Sequence, residues 1–317
     1  MQVHGLHHVT AVTGNVQGNR DFYTRVLGLR LVKKSVNQDD TSAYHMFYAD
    51  KLATAGTDMT FFDWPQTPPN VRGTDSIATT LFRVNGRAAL DYWISRFDAQ
   101  GVTHSGLESF AGRAIVRFDD PEGQRLTLVD DQGARYEGEA WDRTDIPVEF
   151  ATRGFHGVLL SVPELARMEP IFIELLGFEK TAEHPALDNP KETVTIYGMD
   201  GGGPGKEVQV LEQRDARAPM LGRGGVHHVA FRLTDDEEQH AWVKRLAQYR
   251  VPNSGIVERY YFRSLYFRIS NGILFELATD GPGFAIDEPL ENLGERLALP
   301  PFLEPQREQI EAGLEPV

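Results

Sequence analysis

The chain has 317 residues, and a prior of roughly 150 residues per domain suggests two domains. Its net charge of -14 argues against nucleic acid and anionic membranes as partners, because both require a basic surface. The absence of cysteine excludes disulfides, thiolate nucleophiles and cysteine metal sites, so any metal must be bound by His, Asp or Glu. No signal-peptide pattern or membrane-length apolar run is present, and we expect a cytoplasmic protein.

The predicted elements follow the order strand, helix and two or three further strands, and this order occurs four times along the chain. The four modules lie near residues 1–65, 75–135, 152–214 and 224–280. The helices are predicted at 19–28, 88–101, 165–177 and 237–249. Gly28 and Gly177 stand where a glycine ends a helix.

A constant offset of 149 residues aligns the two halves of the chain without a gap. It places "GLHHV" (5–9) on "GFHGV" (154–158), and "TTLFRV" (79–84) on "HVAFRL" (228–233). A constant offset over most of the chain indicates duplication of an ancestral half. We therefore predict modules 1 and 2 in residues 1–136, a linker at 137–153, modules 3 and 4 in 154–281, and a C-terminal tail at 282–317.

The tripeptide HHV begins two predicted strands, as His7-His8-Val9 and His227-His228-Val229. Successive side chains of a strand point to opposite faces, so we expect one histidine of each pair to face the concave side of the sheet and the other to point away. Glu276 lies within the apolar run "ILFELA", where a buried carboxylate is costly unless it binds a cation. His8, His228 and Glu276 are therefore predicted to form a metal site of two histidines and one carboxylate.

The duplication supplies a comparison position for each predicted ligand. The equivalent positions are Gly157, Thr79 and Thr127, and none of these is a good metal ligand. One pair of modules thus retains the predicted site and the other pair has lost it. His7 and His227 are predicted to orient the ligands or to relay protons. The other histidines considered are predicted to be structural: His45, His104, His156, His184 and His240.

The segments "GLHHVT", "FYTRVLGLRLV", "GGVHHVAFRL" and "NGILFELATDGPGF" resemble the vicinal oxygen chelate superfamily of glyoxalases and extradiol dioxygenases. More narrowly, the chain is similar to ring-cleaving dioxygenases of hydroquinones and related diphenols, over residues 1–285 and in the tail segment "LPPFLEPQREQIE". The resemblance implies an α+β fold of four βαβββ modules that form two incomplete barrels. It also implies metal ligands from the first and fourth modules, in agreement with His8, His228 and Glu276, and Fe(II) or alternatively Mn(II) as the metal.

The resemblance further implies that Tyr266 and Arg259 join His7 and His227 as catalytic residues, with Arg263 or Tyr260 as alternatives. Tyr266 and Glu276 are ten residues apart and both face inward if the intervening Ser270-Asn271-Gly272 turn preserves the phase of the strands. Aromatic candidates for stacking against a substrate ring are Phe262, Phe267 and Trp64.

The leading functional hypothesis is a non-heme metal-dependent dioxygenase that cleaves a hydroquinone or catechol-type diphenol with O₂ in aromatic compound degradation. The first alternative is a glyoxalase-like metal-dependent lyase or isomerase, which usually needs a fourth protein ligand, and the first module offers only Asp63. The second is a metal-free ligand-binding protein of the same fold, which would not need Glu276. The identity of the diphenol, the role of the tail and the oligomeric state stay open, although a homo-oligomer is common for this fold.

Overall fold

The computed structural model describes residues 1–269 and 272–317 and contains two curved β-sheets. Within those ranges the first half of the chain supplies strands β1 (Leu6–Thr13), β2 (Arg30–Asn37), β3 (Asp40–Ala49), β4 (Asp58–Asp63), β5 (Ser76–Val84), β6 (Glu108–Phe110), β7 (Arg113–Asp119) and β8 (Arg125–Asp130). The second half supplies β9 (Phe155–Val162), β10 (Glu179–Pro185), β11 (Thr193–Gly198), β12 (Glu207–Glu212), β13 (Val226–Leu233), β14 (Asn253–Glu258), β15 (Arg263–Arg268) and β16 (Leu274–Thr279).

The helices of the described chain are few and short. The α-helices are α1 (Val16–Asp21), α2 (Gly86–Gln100), α3 (Asp236–Gln248) and α4 (Arg307–Gly313). Two π-helical turns lie at Phe22–Val26 and Ile171–Leu175, and 3₁₀ turns lie at Val148–Phe150, Leu165–Arg167, Phe284–Ile286, Leu290–Asn292 and Glu304–Gln306. In the parts of the chain that the structure describes, none of these helices has both the length and the apolar character that crossing a bilayer requires.

Each sheet has eight strands and combines two modules that are distant in the sequence. Modules 1 and 4 form the first sheet in the order β14-β15-β16-β13-β1-β4-β3-β2, and modules 2 and 3 form the second in the order β10-β11-β12-β9-β5-β8-β7-β6. At the centre of each sheet the opening strands of the two modules pair antiparallel, and each also pairs parallel with the last strand of its own module. This arrangement confirms the predicted α+β fold of four βαβββ modules in two incomplete barrels.

The modules that were grouped together along the chain, 1 with 2 and 3 with 4, do not share a sheet. Each sheet takes one module from residues 1–136 and one from residues 154–281, so neither segment contains a complete sheet. The physical reason lies at the opening strands: β1 pairs with β4 on one side only, and its other edge needs a partner, which β13 provides. The linker at 137–153 contains the 3₁₀ turn Val148–Phe150.

The predicted helices at 88–101 and 237–249 correspond to α2 and α3 within two residues at each end. The helix predicted at 19–28 starts earlier, at Val16, and its second half is a π-helical turn. The helix predicted at 165–177 is wrong as a continuous α-helix, because Pro170 has no N–H to donate and interrupts it between the turns Leu165–Arg167 and Ile171–Leu175. Gly28 and Gly177 have φ of +69° and +74°, which confirms both as left-handed caps.

The hydrophobic core is continuous between the two barrels. Helix α2 buries Trp93 and Phe97, and α3 buries Trp242 and Leu246, all with no exposed surface. These side chains belong to one cluster that also takes in apolar residues from both central strand pairs. Asp235 caps α3 by accepting from the N–H of Glu238, which fixes where that helix begins. The two barrels therefore share one hydrophobic core.

The C-terminal tail packs against the first sheet. A buried apolar cluster joins Val36 of β2 to three residues of the tail, Leu299, Leu303 and Ile310. The fully buried Lys33, also on β2, forms ion pairs with the carboxylates of Asp287, at 2.7 Å, and Glu288. The tail is thus held to β2 by an apolar contact and by a buried charge cluster.

Candidate metal centre

Three neighbouring strands bring His8 of β1, His228 of β13 and Glu276 of β16 together on the concave face of the first sheet. The Oε2 atom of Glu276 lies 3.2 Å from His8 Nε2 and 3.0 Å from His228 Nε2, and the two Nε2 atoms are 3.2 Å apart. The His8 and His228 residues are 2% and 3% exposed, and Glu276 has no exposed surface. Among the described residues this is the one cluster of His, Cys, Asp or Glu whose geometry suits a metal ion.

The donor set fits a divalent metal. Three ligand atoms that each lie about 2.1 Å from one ion at right angles to each other are about 3.0 Å apart, close to the separations found here. In the described part of the chain, neither oxygen of Glu276 receives a conventional hydrogen bond, although the carboxylate is fully buried. Burial by itself would raise the pKa of Glu276, but the His8 and His228 imidazoles hold it well below its usual range. The site therefore presents an ionised carboxylate that needs a cation.

His7 and His227 lie beside the ligands rather than pointing away, so the expectation from simple strand alternation is wrong. The register between β1 and β13 shifts twice, and the extra residues in the two β-bulges are His7 and His227. Each bulge brings the Nδ1 atom of the extra histidine to 2.8 Å from Nδ1 of the neighbouring ligand, His8 or His228. Both histidines therefore lie within hydrogen-bonding distance of the predicted ligands, and their role in orienting those ligands stays a prediction.

The second sheet keeps the two bulges but not the metal ligands. Its register shifts occur at Ala78 and His156, which are the equivalents of His227 and His7. At the position equivalent to His8, a Cβ atom on Gly157 would lie 2.4 Å from the carbonyl oxygen of Glu207 on β12. The backbone at this point has closed over the space that a ligand side chain would need. The bulges are therefore common to both sheets, whereas the predicted metal ligands occur in the first sheet.

Tyr266 and Arg259 lie together at the edge of the cluster. Tyr266 pairs directly opposite Glu276 across β15 and β16, so both side chains face the concave side, although Ser270 and Asn271 of the predicted turn lie outside the described residues. Arg259 Nε donates to the Tyr266 hydroxyl at 3.3 Å, and its guanidinium also pairs with Asp39 at 2.8 Å. Burial is the first cause that raises the pKa of Tyr266, and Glu276 adds to it.

The alternatives to these two residues lie elsewhere. Arg263 pairs with Glu258 and Asp236 on the outer surface. Tyr260 packs against the ring of Tyr261 at 5.1 Å.

Two of the three aromatic candidates contact the predicted site residues. The Phe262 ring is 5.1 Å from the ring of His8 and 5.3 Å from that of His7. Trp64 lies 5.8 Å from the ring of His227. Phe267, in contrast, is buried in the main core, because it follows Tyr266 in the strand and points to the other face. The prediction that Phe267 stacks on a substrate is wrong for that reason.

His45 is the residue that the sequence reasoning missed. It lies on β3, forms part of the wall of the metal pocket and contacts the ring of Phe47 at 3.9 Å and Thr60 Oγ1 at 3.0 Å. Burial, followed by the charges of His8 and His228, moves its pKa well below the usual value. The duplication could have revealed it: the equivalent residue in the other half is Val194, so position 45, like the ligand positions, has a potential metal-binding side chain in one half only.

The pocket next to the ligands is small and closed. Its volume is about 40 Å³, enough for only a few water molecules. The turn between β2 and β3 forms one wall, where Gln38 donates to the carbonyl oxygen of Arg259 at 2.8 Å and Asp39 pairs with the Arg259 guanidinium. These contacts hold the turn against the segment that carries Arg259.

The two bulge histidines, His7 and His227, have a lower pKa than an exposed imidazole. Burial, with a further contribution from the neighbouring ligand histidine, lowers the pKa of His7 and of His227 to about 3. Both are therefore neutral at physiological pH and offer one donor and one acceptor nitrogen.

Comparison with known proteins agrees with this architecture. Residues 5–128 and 154–286 match the family described as the Glyoxalase/Bleomycin resistance protein/Dioxygenase superfamily. The chain belongs to this superfamily. It is 47% identical over 317 residues to the Bacillus subtilis protein named "Putative ring-cleaving dioxygenase MhqA", and the alignment covers 100% of both chains.

Two further similarities point the same way. The chain is 29% identical over 320 residues to the chlorohydroquinone/hydroquinone 1,2-dioxygenase of Sphingobium indicum, covering 98% of this chain and 95% of that protein. The crystal structure of a "putative dioxygenase" from Bacillus subtilis superimposes with a TM-score of 0.90 at 36% identity and covers 99% of this chain and 97% of that one. Relatives across the full length of the chain are thus named as ring-cleaving dioxygenases.

Proposed function

We propose that this protein is a non-heme metal-dependent dioxygenase that cleaves the ring of a hydroquinone or catechol-type diphenol with O₂. Fe(II) is the proposed metal and Mn(II) the alternative, because two imidazoles with one carboxylate suit redox-active divalent ions that react with O₂. The observation that carries the proposal is the convergence of His8, His228 and Glu276 in a buried cluster that, among the described residues, includes no fourth ligand. The names of the full-length relatives support the reaction class.

When bound, the metal supplies Lewis-acid and redox activation of the diphenol and O₂. His8, His228 and Glu276 would hold it, and a donor set of two imidazoles and one carboxylate would leave positions free for substrate oxygens. A ligand imidazole that binds through Nε2 carries its proton on Nδ1. His8 and His228 then donate that proton to Nδ1 of His7 and His227, which fixes the orientation of both ligand rings.

Tyr266 is proposed to handle the phenol proton. Its hydroxyl accepts from Arg259 Nε and faces the same side of the sheet as Glu276, so it is placed to bond a hydroxyl of the substrate. A positioned acid or base of this kind accelerates proton transfer, and the Arg259 guanidinium stabilises a transient tyrosinate. His227 and His7 are the second proposed route for protons, because each is neutral and retains its Nε2 atom for exchange.

The wall of the pocket is proposed to bind a flat ring. Phe262 lies against His8, and the ring of Phe62 on β4 lies 4.5 Å from the ring of His45 on the neighbouring strand β3. Aromatic faces at this spacing favour a stacked ring. The turn held by Asp39 and Arg259 is proposed to open for entry and to close over the bound diphenol, which excludes water from the reaction.

The test uses anaerobically purified protein loaded with Fe(II), with metal content and O₂ uptake measured on the same sample. Methylhydroquinone is offered first and catechol second. We expect stoichiometric iron and diphenol-dependent O₂ consumption in the wild type, and loss of both in Glu276→Ala. The exposed tail substitution Glu308→Ala serves as the control and is expected to retain both.

Two outcomes would contradict the proposal. Tight binding of zinc or nickel with no O₂ uptake from either diphenol would assign the protein to a glyoxalase-like lyase or isomerase. Failure to bind any divalent metal would remove the His8, His228 and Glu276 site and favour a metal-free ligand-binding protein.

A further inference from the structure

The second sheet encloses a cavity of about 570 Å³ on its concave face, in the barrel that lacks metal ligands. Its lining corresponds to that of the metal pocket under the 149-residue shift: Asp188, Phe110 and Arg117 stand where the first sheet has Asp39, Arg259 and Tyr266. This cavity is far larger than the pocket at the metal centre, which measures about 40 Å³. Its size lies within the range of small-molecule binding sites.

The wall of this cavity is mainly apolar. Leu81, Ile115 and Val129 form a hydrophobic cluster with Phe110 and Leu159 that is separate from the main core. In a curved sheet such a cluster on the concave face either packs against another element or receives a ligand. At two of the three ligand positions the second sheet has threonines, Thr79 and Thr127, and both line the cavity, whereas the backbone of Glu207 covers the third position, Gly157. The cavity therefore has room for the apolar body of a small molecule of at least one ring.

One cation in the cavity wall has no partner. Alternation along β8 places Arg125, Thr127 and Val129 on the same, concave face. Within residues 1–269 and 272–317, the side chain of Arg125 forms no hydrogen bond and no ion pair, whereas its backbone lies opposite Asp119 in the pairing of β8 with β7. It is partly buried, and this burial together with the charge of Arg72 lowers the pKa of its guanidinium.

The other arginines of the wall already have acidic partners. Arg113 pairs with Glu207 at 3.0 Å, and Arg72 pairs with Asp119 at 2.8 Å. Arg117 pairs with Glu108 and Asp188, at 2.6 Å and 2.7 Å. Arg125 is thus the group in this wall that is free to recognise an anion, and a partly buried guanidinium pairs well with a carboxylate.

We propose that the cavity of the second sheet is a binding site for a small aromatic carboxylate. The ring lies against Leu81, Val129 and Leu159, and the carboxylate bonds to the guanidinium of Arg125. No metal takes part, because the ligand positions are Gly157, Thr79 and Thr127. The site is separate from the proposed catalytic centre and does not depend on its reaction.

The test is a titration of the full-length, metal-loaded protein with benzoate, followed by NMR of isotopically labelled Leu, Ile and Val methyl groups. We expect saturable shifts of the methyls of Leu81, Ile115, Val129 and Leu159. The neutral analogue benzamide and the variant Arg125→Gln are each expected to weaken binding at least about tenfold, since a hydrogen bond to a charged group is lost. Arg125→Lys should retain part of the affinity, and the exposed control Arg87→Gln should retain all of it.

Several results would overturn the proposal. One is the absence of saturable shifts at these methyls in millimolar benzoate; another is equal affinity of benzoate and benzamide. Shifts confined to Leu274, beside the metal centre, would place benzoate at the metal instead. Changes in the same cavity methyls with protein concentration and no ligand would assign the cavity to a second copy of the chain. Because the benzoate and benzamide comparison uses the wild-type protein, the test stands even if Arg125→Gln fails to fold.

Discussion

At the scale of single residues, the metal centre depends on pairs of neighbouring histidines. A ligand histidine that stood alone on a strand would be free to rotate, and its tautomer would be undefined. Here Nδ1 of His7 and of His227 lies 2.8 Å from Nδ1 of the neighbouring His8 and His228, so a hydrogen bond within each pair limits the rotation of the predicted ligand ring. The low pKa of each bulge histidine, about 3, keeps its acceptor nitrogen unprotonated across the physiological range.

Tyr266→Phe tests the proposed proton-transfer residue. The change removes the hydroxyl that accepts from Arg259 and leaves the packing intact. We expect kcat to fall by about 10²-fold or more, with iron content and KM little changed, because the hydroxyl acts in the reaction rather than in binding the metal. The measurement is O₂ uptake across a range of pH, with Tyr260→Phe as the control. An unchanged kcat in Tyr266→Phe would remove this role.

Asp120→Asn tests a buried carboxyl that titrates near pH 6. Burial raises the pKa of Asp120 from 3.8 to about 6, although its carboxylate accepts from the N–H groups of Glu122 and Gln124 and from Tyr23. The folded state therefore binds this proton more tightly than the unfolded state. The contribution of this group to stability is fully present below about pH 3.8 and is lost as the pH rises through about 6.

We expect Asp120→Asn to gain stability relative to the wild type between pH 4 and pH 8, by up to about 3 kcal/mol. The measurement is the free energy of urea-induced unfolding of both proteins at the two pH values. Asp21→Asn, at an exposed position, is the control. A stability difference that does not change with pH would show that Asp120 has an ordinary pKa.

At the scale of elements, the tail and β2 depend on each other. Lys33 has no exposed surface, and its ammonium pairs with Asp287 and Glu288 of the tail, while Glu288 is itself 3% exposed. A buried charge that loses its partner is costly, whereas an exposed ion pair contributes little. The docking of the tail is therefore linked to the interior of the first sheet, where β4 and β3 separate β2 from β1 and the predicted ligand His8.

Lys33→Met is expected to lower the free energy of unfolding by about 3–5 kcal/mol, because it leaves a buried carboxylate without its cation. Arg296, 3.5 Å from Glu288, compensates only in part because its side chain is mostly exposed. Urea unfolding measures the change, and Lys51→Met, at an exposed ion pair, is expected to change the free energy of unfolding far less, because water screens that pair. Equal effects of the two substitutions would contradict the buried-pair explanation.

At the scale of the whole molecule, the sheets interleave the two halves of the chain. The pairing of β1 with β13, and of β5 with β9, joins residues 1–136 to residues 154–281 at the centre of both barrels. His8 comes from the first segment, and His228 and Glu276 come from the second. A complete metal site therefore requires both segments, and the duplicated halves are not independent domains.

Separate expression of residues 1–136 and 137–317 tests this interleaving. Neither fragment alone is expected to bind stoichiometric iron, because each lacks at least one ligand and a central strand pair. Co-expression is expected to yield a complex with one iron per fragment pair, measured by metal analysis after size-exclusion chromatography. The same pair with His8→Ala serves as the control. Stoichiometric iron in residues 137–317 alone would show that the site does not need β1.

The amino-acid sequence by itself was sufficient to predict the repeat, the four modules and the three residues that converge as possible metal ligands. These features are local or periodic. The strand order follows from hydrophobic spacing. Comparison of the two halves at the 149-residue offset shows that none of the positions equivalent to His8, His228 and Glu276 holds a good metal ligand. The family resemblance added the residues near the site, Tyr266 and Arg259, which the structure places in contact.

Only the tertiary structure decided which modules share a sheet, where the bulges fall and what the pockets enclose. The pairing of β1 with β13 joins residues about 220 positions apart, and a register shift of one residue on either strand turns His7 and His227 toward the ligands. The pairing of distant strands also places His45 at the metal pocket and the free guanidinium of Arg125 in the cavity of the other barrel. Each depends on which distant strand lies beside it, and that information is absent from local sequence patterns.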